Sequence, residues 1–432
     1  MNRSQAAEYA LEALKKAGAQ KAAVRAAAGY TEELNAETGE FSLYRTLYTS
    51  NLSIKAIKDG KKGMAHINIF DKDAIDEAVE GCIAAAAAGV VDEAEDIAEK
   101  LENKKFESGI LSPDKEALYS RIEEYTAEIK TKYPKINLEQ FIAKYERADA
   151  LFINTNGVEF DHATGHYEYA SMFTGQDGEK STSFNHYQNT FTDLATKFMD
   201  MGLMRAIIED TVNSFDPTPV SGKYVGPVII APTCFDDLLQ SIILNFAGEG
   251  ALLEGTAIWK DKLERQVAHP SLTVSMNPYD ARVVCGERVT PDGFSSVDTD
   301  IIKDGVLKGF LLSQYGANKL SKPRSKNMAY RNQIVAPGQV ALADMIKSTD
   351  QGLLINRFSG GEPAGNGDFS GVAKNSFAIK NGKIAGPVSE TMISGNLQDL
   401  LLNVRAISRE TTCNGTSVLP WIALDGVTVS GK

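Results

Sequence analysis

The segment NLSIKAIKDGKKGMAHINIFDKDA, residues 51–74, joins a β-hairpin pattern directly to a helix start. Apolar and polar residues alternate in Asn51–Ile57 and again in Gly63–Ile69, on either side of the turn sequence Lys58-Asp-Gly-Lys-Lys62. An Asp-Gly pair between two alternating segments is typical of a tight hairpin turn. Asp71-Lys-Asp-Ala74 then opens a helix through about Gly89, with Asp73 or its neighbour as the predicted cap. We therefore predict two antiparallel strands followed by a helix.

Strand-like alternation and helix-like spacing of apolar residues also occur in the rest of the N-terminal half. Turn pairs at Asn156-Gly157 and Gln176-Asp-Gly178 separate segments in which apolar and polar residues alternate. The charged tract Asp92–Lys105 is expected to be a solvated crossover. Besides the hairpin, the patterns predict helices at Met1–Gly18, Pro113–Tyr133 and Leu194–Phe215, strands at Lys21–Ala28 and Glu40–Ser50, and an antiparallel meander over Ile136–Thr192.

The C-terminal half contains shorter strands and more turns. Asp-Gly and Asn-Gly pairs after Lys303 and Lys380 each stand between two alternating segments and predict hairpins. The remaining patterns predict strands at Tyr224–Ala231 and Ser417–Val429 and helices at Cys234–Ala247 and Asp399–Ile407.

Strands and helices follow one another without regular βαβ alternation, which favours an α+β fold. The length of 432 residues is too great for one ordinary core, so we expect two domains, each with a mostly antiparallel sheet and packed helices. The Pro/Gly-rich tract 216–222 is the predicted linker between domains 1–215 and 223–432. A subdomain break near 92–113 is an alternative.

Charge and cysteine usage narrow the class of protein. The formal charge of −12 repels phosphate backbones, so no direct binding to nucleic acid is expected. No apolar run reaches the ~20 residues that span a bilayer, so no membrane association is expected. Cys82, Cys234, Cys285 and Cys413 are widely spaced and form no C-x-x-C pair. We therefore expect reduced thiols and a cytoplasmic protein.

Five short segments follow one another in the C-terminal half: Ser359-Gly-Gly361, Gly365-Asn-Gly-Asp-Phe-Ser370, Asn381-Gly-Lys-Ile-Ala-Gly-Pro-Val388, Ile393-Ser-Gly-Asn396 and Leu424-Asp-Gly-Val-Thr-Val-Ser-Gly431. In this order and spacing they resemble the TldD/PmbA peptidase family, also called TldD/TldE and known by the name "modulator of DNA gyrase". The N-terminal hairpin and the helix that starts with Asp-x-Asp are similar to that family's layout. The resemblance covers nearly the whole chain.

The resemblance also implies which kind of member this chain is. Zinc-bearing members carry His-Glu-x-x-x-His before a Leu-Glu-Gly, because imidazoles bind zinc and the glutamate takes a proton from water. Here Leu253-Glu-Gly255 places Phe246, Ala247 and Ala251 at the three motif positions. Cys413 is near the place of the family's late ligand, but one thiolate cannot hold a catalytic zinc. The resemblance thus implies a PmbA/TldE-like member without its own metal.

Two other groups of residues are candidate sites. His162-Ala-Thr-Gly-His166, with Glu168, offers metal donors, but a strand separates successive side chains on one face by ~6.5 Å. We therefore expect exposed strand histidines there. The glycine tract after Ser359 has no phosphate-binding pattern, and its glycines suit turns or a close approach of a peptide that adds as a strand. The peptide-binding candidates are Gly360, Gly361, Gly367, Asp368, Phe369 and Ser370.

Three functional hypotheses follow. The favoured one is a subunit that is inactive alone and pairs with a zinc-bearing TldD-like subunit, or forms a homodimer, to cleave unfolded peptides. The second is an interaction protein that modulates DNA gyrase. The third is an autonomous hydrolase with an unrecognised site, for example around His162 and His166.

Overall fold

The computed structural model describes residues 1–432, whose strands form two large sheets. The helices are α1 (Arg3–Lys16), α2 (Lys72–Ala88), α3 (Lys115–Lys132), α4 (Met204–Val212), α5 (Pro232–Ala247), α6 (Glu249–Leu253), α7 (Gln314–Leu320), α8 (Leu342–Lys347) and α9 (Leu397–Leu402). The α+β prediction is confirmed. None of the helices is both long and apolar enough to cross a membrane.

The strands of the first sheet are β1 (Lys21–Glu37), β2 (Glu40–Lys58), β3 (Lys61–Ile67), β4 (Lys104–Gly109), β5 (Ile136–Asn154), β6 (Glu159–Asp177), β7 (Lys180–Ser181) and β8 (Asn185–Phe191). Their order is β3-β2-β1-β5-β6-β4, and β7 and β8 also pair with β6. Only β4 runs parallel to its neighbour. Since β5, β6 and β8 are successive antiparallel partners, the predicted meander is confirmed.

The predicted break between Glu40–Ser50 and Asn51–Ile57 is wrong. Both segments belong to β2, which pairs with β1 from Lys21↔Ile57 to Glu37↔Glu40. Backbone hydrogen bonds to β1 keep β2 continuous across its polar middle. The alternation of side chains does not show this backbone pairing. The hairpin between β2 and β3 is as predicted.

Helices α1 and α2 cover one face of the first sheet with small residues. Ala6, Ala7 and Ala10 of α1 are fully buried against that face. Gly63 of β3 is needed because a Cβ there would lie 1.8 Å from the Cys82 carbonyl oxygen of α2. Short side chains therefore set the close packing of helices on the sheet.

The tract Asp92–Lys105 is not the solvated crossover that its charge predicts. Ile97 and Ala98 within it are buried, and β4 begins at Lys104. The Glu95 carboxylate is also buried, 2.7 Å from the Lys55 ammonium and paired with Lys62. Partners on β2 and β3 neutralise the charge that made the tract look exposed.

The strands of the second sheet are β9 (Thr218–Pro219), β10 (Lys223–Ile230), β11 (Val274–Met276), β12 (Thr299–Lys303), β13 (Val306–Leu307), β14 (Gln333–Val335), β15 (Gln351–Ile355), β16 (Arg357–Gly360), β17 (Asp368–Lys374), β18 (Phe377–Lys380), β19 (Lys383–Ser389), β20 (Met392–Asn396), β21 (Val404–Cys413) and β22 (Val418–Ser430). Most pairs are antiparallel, but β10–β15, β14–β22 and β9–β19 are parallel. Helix α5 lies in the core cluster of this sheet.

Two predicted helices are shorter than expected. In the segment Leu194–Phe215 only a 3₁₀ turn at Phe198–Asp200 and α4 are helical. In the segment Asp399–Ile407 the helix α9 ends at Leu402, and the rest begins β21. Pairing of Val404 and Ile407 with β22 outweighs the local helical preference there.

The uncovered face of the first sheet packs on the second half of the chain. Phe152 and Phe160 join Phe294 in one buried cluster. Gly293, with φ of +88°, passes over β5 so closely that a Cβ would lie 2.1 Å from the Phe152 ring. This contact seats the two sheets against each other.

Candidate functional site

The helix pair α5–α6 carries the segment that corresponds to the zinc motif. Helix α5 starts at Pro232, which suits a first helical position, and buries one apolar face that includes Leu239 and Ile243. The helix ends at Ala247. In a continuous helix the Ala247 carbonyl would accept from a backbone amide one turn later, but here it accepts from the Leu311 amide at 2.8 Å. Gly248 is extended, and α6 follows at once.

Apolar groups fill the three motif positions. Phe246 is 1% exposed, Ala247 is fully buried, and the partly buried Ala251 packs against the same core. The Phe246 ring packs edge-on against Trp259, with centroids 5.2 Å apart. The indole N–H of Trp259 donates to the Gln398 side chain. A phenyl ring and two methyl groups have no lone pair for a cation, so these positions do not fit a zinc ion.

Glu249, between the motif positions, has a structural partner. Its carboxylate accepts a hydrogen bond from the Ser313 amide at 2.6 Å, at the start of α7. A Cβ at Gly316 would lie 2.2 Å from the same carboxylate, so α7 approaches closely. The Glu249 carboxylate therefore helps to cap α7, since a carboxylate is favourable at a helix N-terminus.

The glycine tract lies beside Phe246. Gly367 has φ of +91°, and a Cβ there would lie 2.9 Å from the Phe246 ring and 3.2 Å from the Asn396 side chain. The neighbouring Phe369 is buried in the same core, whereas Asp368 and Ser370 are exposed. The fold thus brings the glycine tract around Gly367 into contact with Phe246 of α5, although the two are far apart in the sequence.

The turn at Gly367 is fixed by polar contacts. The Asn396 amide group donates to the Asp368 carboxylate at 2.9 Å, and the Asn366 amide donates to its other oxygen at 2.8 Å. These hydrogen bonds lower the pKa of Asp368. The Leu397 amide donates to the Gly367 carbonyl at 2.8 Å. Asp368 therefore holds the turn against the start of α9.

The backbone edge available next to this tract belongs to β16. Strand β17 pairs with β16 and β20, whereas β16 pairs only with β17. Gly360 pairs with Gly371, and a Cβ at Gly360 would lie 2.7 Å from the Ser370 carbonyl oxygen. Gly361 has open space around it. An extended peptide can therefore add as a further strand to the free edge of β16.

The structure places Cys413 away from the motif positions. Its thiol donates to the Arg282 carbonyl at 3.4 Å and accepts from the Gly415 amide at 3.3 Å. Burial raises the pKa of this thiol. The adjacent Asn414 contacts Asp236 on α5, which is ~15 Å along the helix from Phe246. Cys413 is therefore a half-buried thiol in a different part of the domain.

His162 and His166 lie on one face of β6 but ~13 Å apart, because four residues of strand separate them. The prediction that they are exposed is wrong, since both are partly buried. Burial lowers the pKa of His162 to about 4, with help from Arg288 and Arg25. His166 lies 3.6 Å from Glu146. No group of three or more His, Cys, Asp or Glu residues is arranged to hold a metal.

Sequence reasoning missed a cavity of about 480 Å³ between the two sheets. Asp210 of α4 and Asp236 and Asp237 of α5 line it. Burial raises the pKa of Asp210 to about 6 and that of Asp237, with help from Asp236, to about 6. The Asn356 amide donates to Asp210 at 2.9 Å. The sequence feature that could have indicated this cavity is the acidic pair Asp236-Asp237 near the start of the buried helix α5.

Two models of known families match the sequence. The model described as the PmbA/TldA metallopeptidase C-terminal domain matches residues 221–431. The model described as PmbA/TldA metallopeptidase domain 1 matches residues 22–86. The predicted boundaries at 216–222 lie next to the start of the first match and stay predictions.

Known proteins resemble the chain, some over nearly its whole length and others over about half of it. The "Metalloprotease PmbA homolog" of Haemophilus influenzae is 26% identical and covers 99% of this chain and 96% of itself. "Metalloprotease PmbA" of Escherichia coli O157:H7 is 30% identical over 50% of this chain and 49% of its own. The TldE structure from Thermococcus kodakarensis has a TM-score of 0.83 at 19% identity, over 99% of this chain and 100% of that one. A Bacteroides thetaiotaomicron structure described as a "putative modulator of DNA gyrase" has a TM-score of 0.85 at 20% identity, over 99% of both chains. At such identities the structures establish a shared fold.

Proposed function

Because this chain is a member of the PmbA/TldD metallopeptidase family, we propose that it is the non-metal, PmbA/TldE-like subunit of a two-subunit peptidase for unfolded peptides. A TldD-like subunit supplies the zinc, and this chain supplies walls of the chamber and contacts to the peptide. The pair acts in the cytoplasm, where the four free cysteines of this chain stay reduced.

The observation that carries the proposal is the apolar filling of the motif positions. Phe246 and Ala247 are buried in the core, and Phe246 is packed between Trp259 and the turn at Gly367. A zinc–water site needs three donors and an open fourth position. The buried apolar side chains at these positions supply no ligand atoms for zinc and leave no open position for water. The family's chemistry therefore has to come from another subunit.

The free edge of β16 supports a role in peptide binding. It lies next to the glycine tract, and the exposed Gly361 leaves room for a backbone to approach. An extended, unfolded peptide is the substrate form that can pair with such an edge, because a folded protein has few unpaired backbone groups.

The test is reconstitution from purified parts. The chain is prepared alone, with a TldD-like partner, and with a partner whose motif glutamate is changed to glutamine. We expect the chain alone to carry no stoichiometric zinc and to cleave no unfolded peptide. The intact pair should cleave peptides and lose activity with a chelator, whereas the glutamine pair should bind zinc and remain inactive. Metal analysis and peptide mass spectrometry give both readouts.

Two outcomes would overturn the proposal. Chelator-sensitive cleavage by the chain alone would make it an autonomous enzyme. Failure to associate with the partner during size-exclusion chromatography, together with unchanged partner activity, would remove the two-subunit assignment. In that case the homodimer and the gyrase interaction become the functions to test, the latter by capture of purified gyrase.

A further inference from the structure

A second cavity lies in the C-terminal half of the chain, and none of the glycine tract residues lines it. Its volume is about 460 Å³, and β12, the turn after β13 and the segment Pro323–Asn327 form its walls. This volume is within the range of ligand pockets, which is ~300–1,000 Å³. Its charged lining residues are Lys303, Lys308, Arg324, Lys326, Asp298 and Asp300.

Most of these charges are already satisfied inside the protein. Asp300 accepts from the Ser275 hydroxyl at 2.6 Å and lies 3.4 Å from the Lys303 ammonium. Asp298 accepts from a backbone amide at 3.0 Å. Lys308 pairs with Glu264 at 2.6 Å. The cations without an anionic partner are therefore Arg324 and Lys326.

Arg324 is the unusual member of the lining. Its guanidinium lies 3.6 Å from the ring centroid of Phe294, and its Nη1 atom is buried with no hydrogen-bond partner. Asp292 is the nearest compensating charge, but its carboxylate already accepts from the Gln314 amide at 2.7 Å. The side chain as a whole is only partly buried, so a carboxylate can reach the exposed part of the guanidinium and form two parallel hydrogen bonds with it.

We propose that this cavity binds the free carboxylate of a peptide, with Arg324 as the paired cation and Lys326 as a second, weaker contact. The apolar residues Met276 and Phe310 line the same cavity and suit the side chain of the terminal residue. An apolar wall beside the cation favours a carboxylate carried by an apolar residue over a free inorganic oxyanion. The choice of a peptide as the carrier rests on the proposed function.

The site differs from the β16 edge in what it recognises. The edge of β16 would recognise the backbone of any extended peptide through main-chain hydrogen bonds. The guanidinium of Arg324 binds a carboxylate, and the neighbouring Met276 and Phe310 favour a carboxylate carried by an apolar terminal residue. A peptide held by Arg324 would therefore be selected for its free C-terminus.

The experiment measures binding to the full chain by calorimetry, with no protease activity required. The probes are N-acetyl-Ala-Leu with a free carboxylate, the same peptide with a C-terminal amide, and inorganic phosphate. We expect the acid to bind and the amide to bind at least tenfold more weakly. Arg324→Gln should weaken binding of the acid roughly tenfold to a hundredfold, and Arg324→Lys should weaken it less.

Arg409→Gln is the matched control, because this exposed arginine on β21 is outside the cavity. It should bind the acid as the unmodified chain does. Should Arg324→Gln fail to fold, as judged by circular dichroism, Lys326→Gln and the acid–amide pair decide the question on folded protein. Lys326→Gln should cause a smaller but measurable loss.

Equal binding of acid and amide, or unchanged binding by folded Arg324→Gln, overturns the proposal. Phosphate binding that depends on Arg324 without binding of the acid also overturns it and assigns the cavity to small oxyanions. The peptidase proposal is tested separately by reconstitution. If the reconstituted pair is inactive, the calorimetric results still show whether the cavity binds a carboxylate.

Discussion

Two segments of the molecule could have held a hydrolytic metal, and they fail for opposite reasons. The α5–α6 segment has the family's spacing, but Phe246, Ala247 and Ala251 provide no donor atoms. The β6 segment has donors in His162 and His166, but the strand holds them ~13 Å apart. A metal site needs donors and convergence together, and neither segment has both.

The two segments also differ in burial. Phe246 is 1% exposed within a large apolar core, while the His166 side chain is 14% exposed on a polar sheet face beside Glu146 and Lys144. The motif segment has therefore become part of the structural core. The histidine segment keeps titratable groups, which packing of the second domain partly removes from water.

The largest expected effect tests the core role of Phe246. Phe246→Ala should lower the free energy of unfolding by about 3–5 kcal/mol, because it removes a fully buried ring next to Trp259. Leu244→Ala on the same helix is the control and should cost much less, since Leu244 is 43% exposed. Urea denaturation measures both. A loss below ~1 kcal/mol for Phe246→Ala would show that the ring is not part of a tightly packed core.

A smaller effect is expected where the second domain covers the histidine face. Gly293→Ala should cost about 1–3 kcal/mol, because φ is +88° and the new Cβ would overlap the Phe152 ring. Gly361→Ala is the matched control, since its Cβ would meet nothing within 4 Å. Thermal melting compares the two variants. Equal melting temperatures would show that this contact does not hold the sheets together.

The stability of the protein is expected to depend on pH through His162. Burial lowers its pKa to about 4, so the unfolded chain binds this proton more readily than the folded one. Stability from His162 is therefore present above about pH 6.5 and is lost as pH falls toward 4. His162→Gln should lose less stability than the unmodified protein between pH 7 and 5, measured by urea midpoints. His66→Gln, on the exposed side of β3, should leave that loss unchanged.

The smallest effect is expected for metal content. His162→Ala combined with His166→Ala should leave bound zinc and the activity of the reconstituted pair unchanged, because the two rings do not converge. Metal analysis by mass spectrometry and peptide cleavage measure this. A drop in zinc would instead show that the two histidines bind metal after a rearrangement of β6.

Local patterns predicted much of the fold and the chemical character of the motif positions. The Lys58–Lys62 hairpin and the β5–β6–β8 meander follow from alternation and turn residues, which act over a few residues. Helix α2 is also where the sequence predicts it, but its cap is Asp71, two residues before the predicted Asp73. The identities of Phe246, Ala247 and Ala251 are likewise a matter of sequence, because side chains without lone pairs cannot ligate zinc in any fold.

The tertiary structure decided what depends on distant partners. The charged tract at 92–105 is packed because Lys55 and Lys62 neutralise Glu95, and the segment after Leu402 is a strand because β22 pairs with it. The contact between Phe246 and Gly367 also joins residues that are far apart in the chain. Hydrogen bonding and ion pairing across the fold outweigh local preference wherever the partner is remote, and no local pattern contains that information.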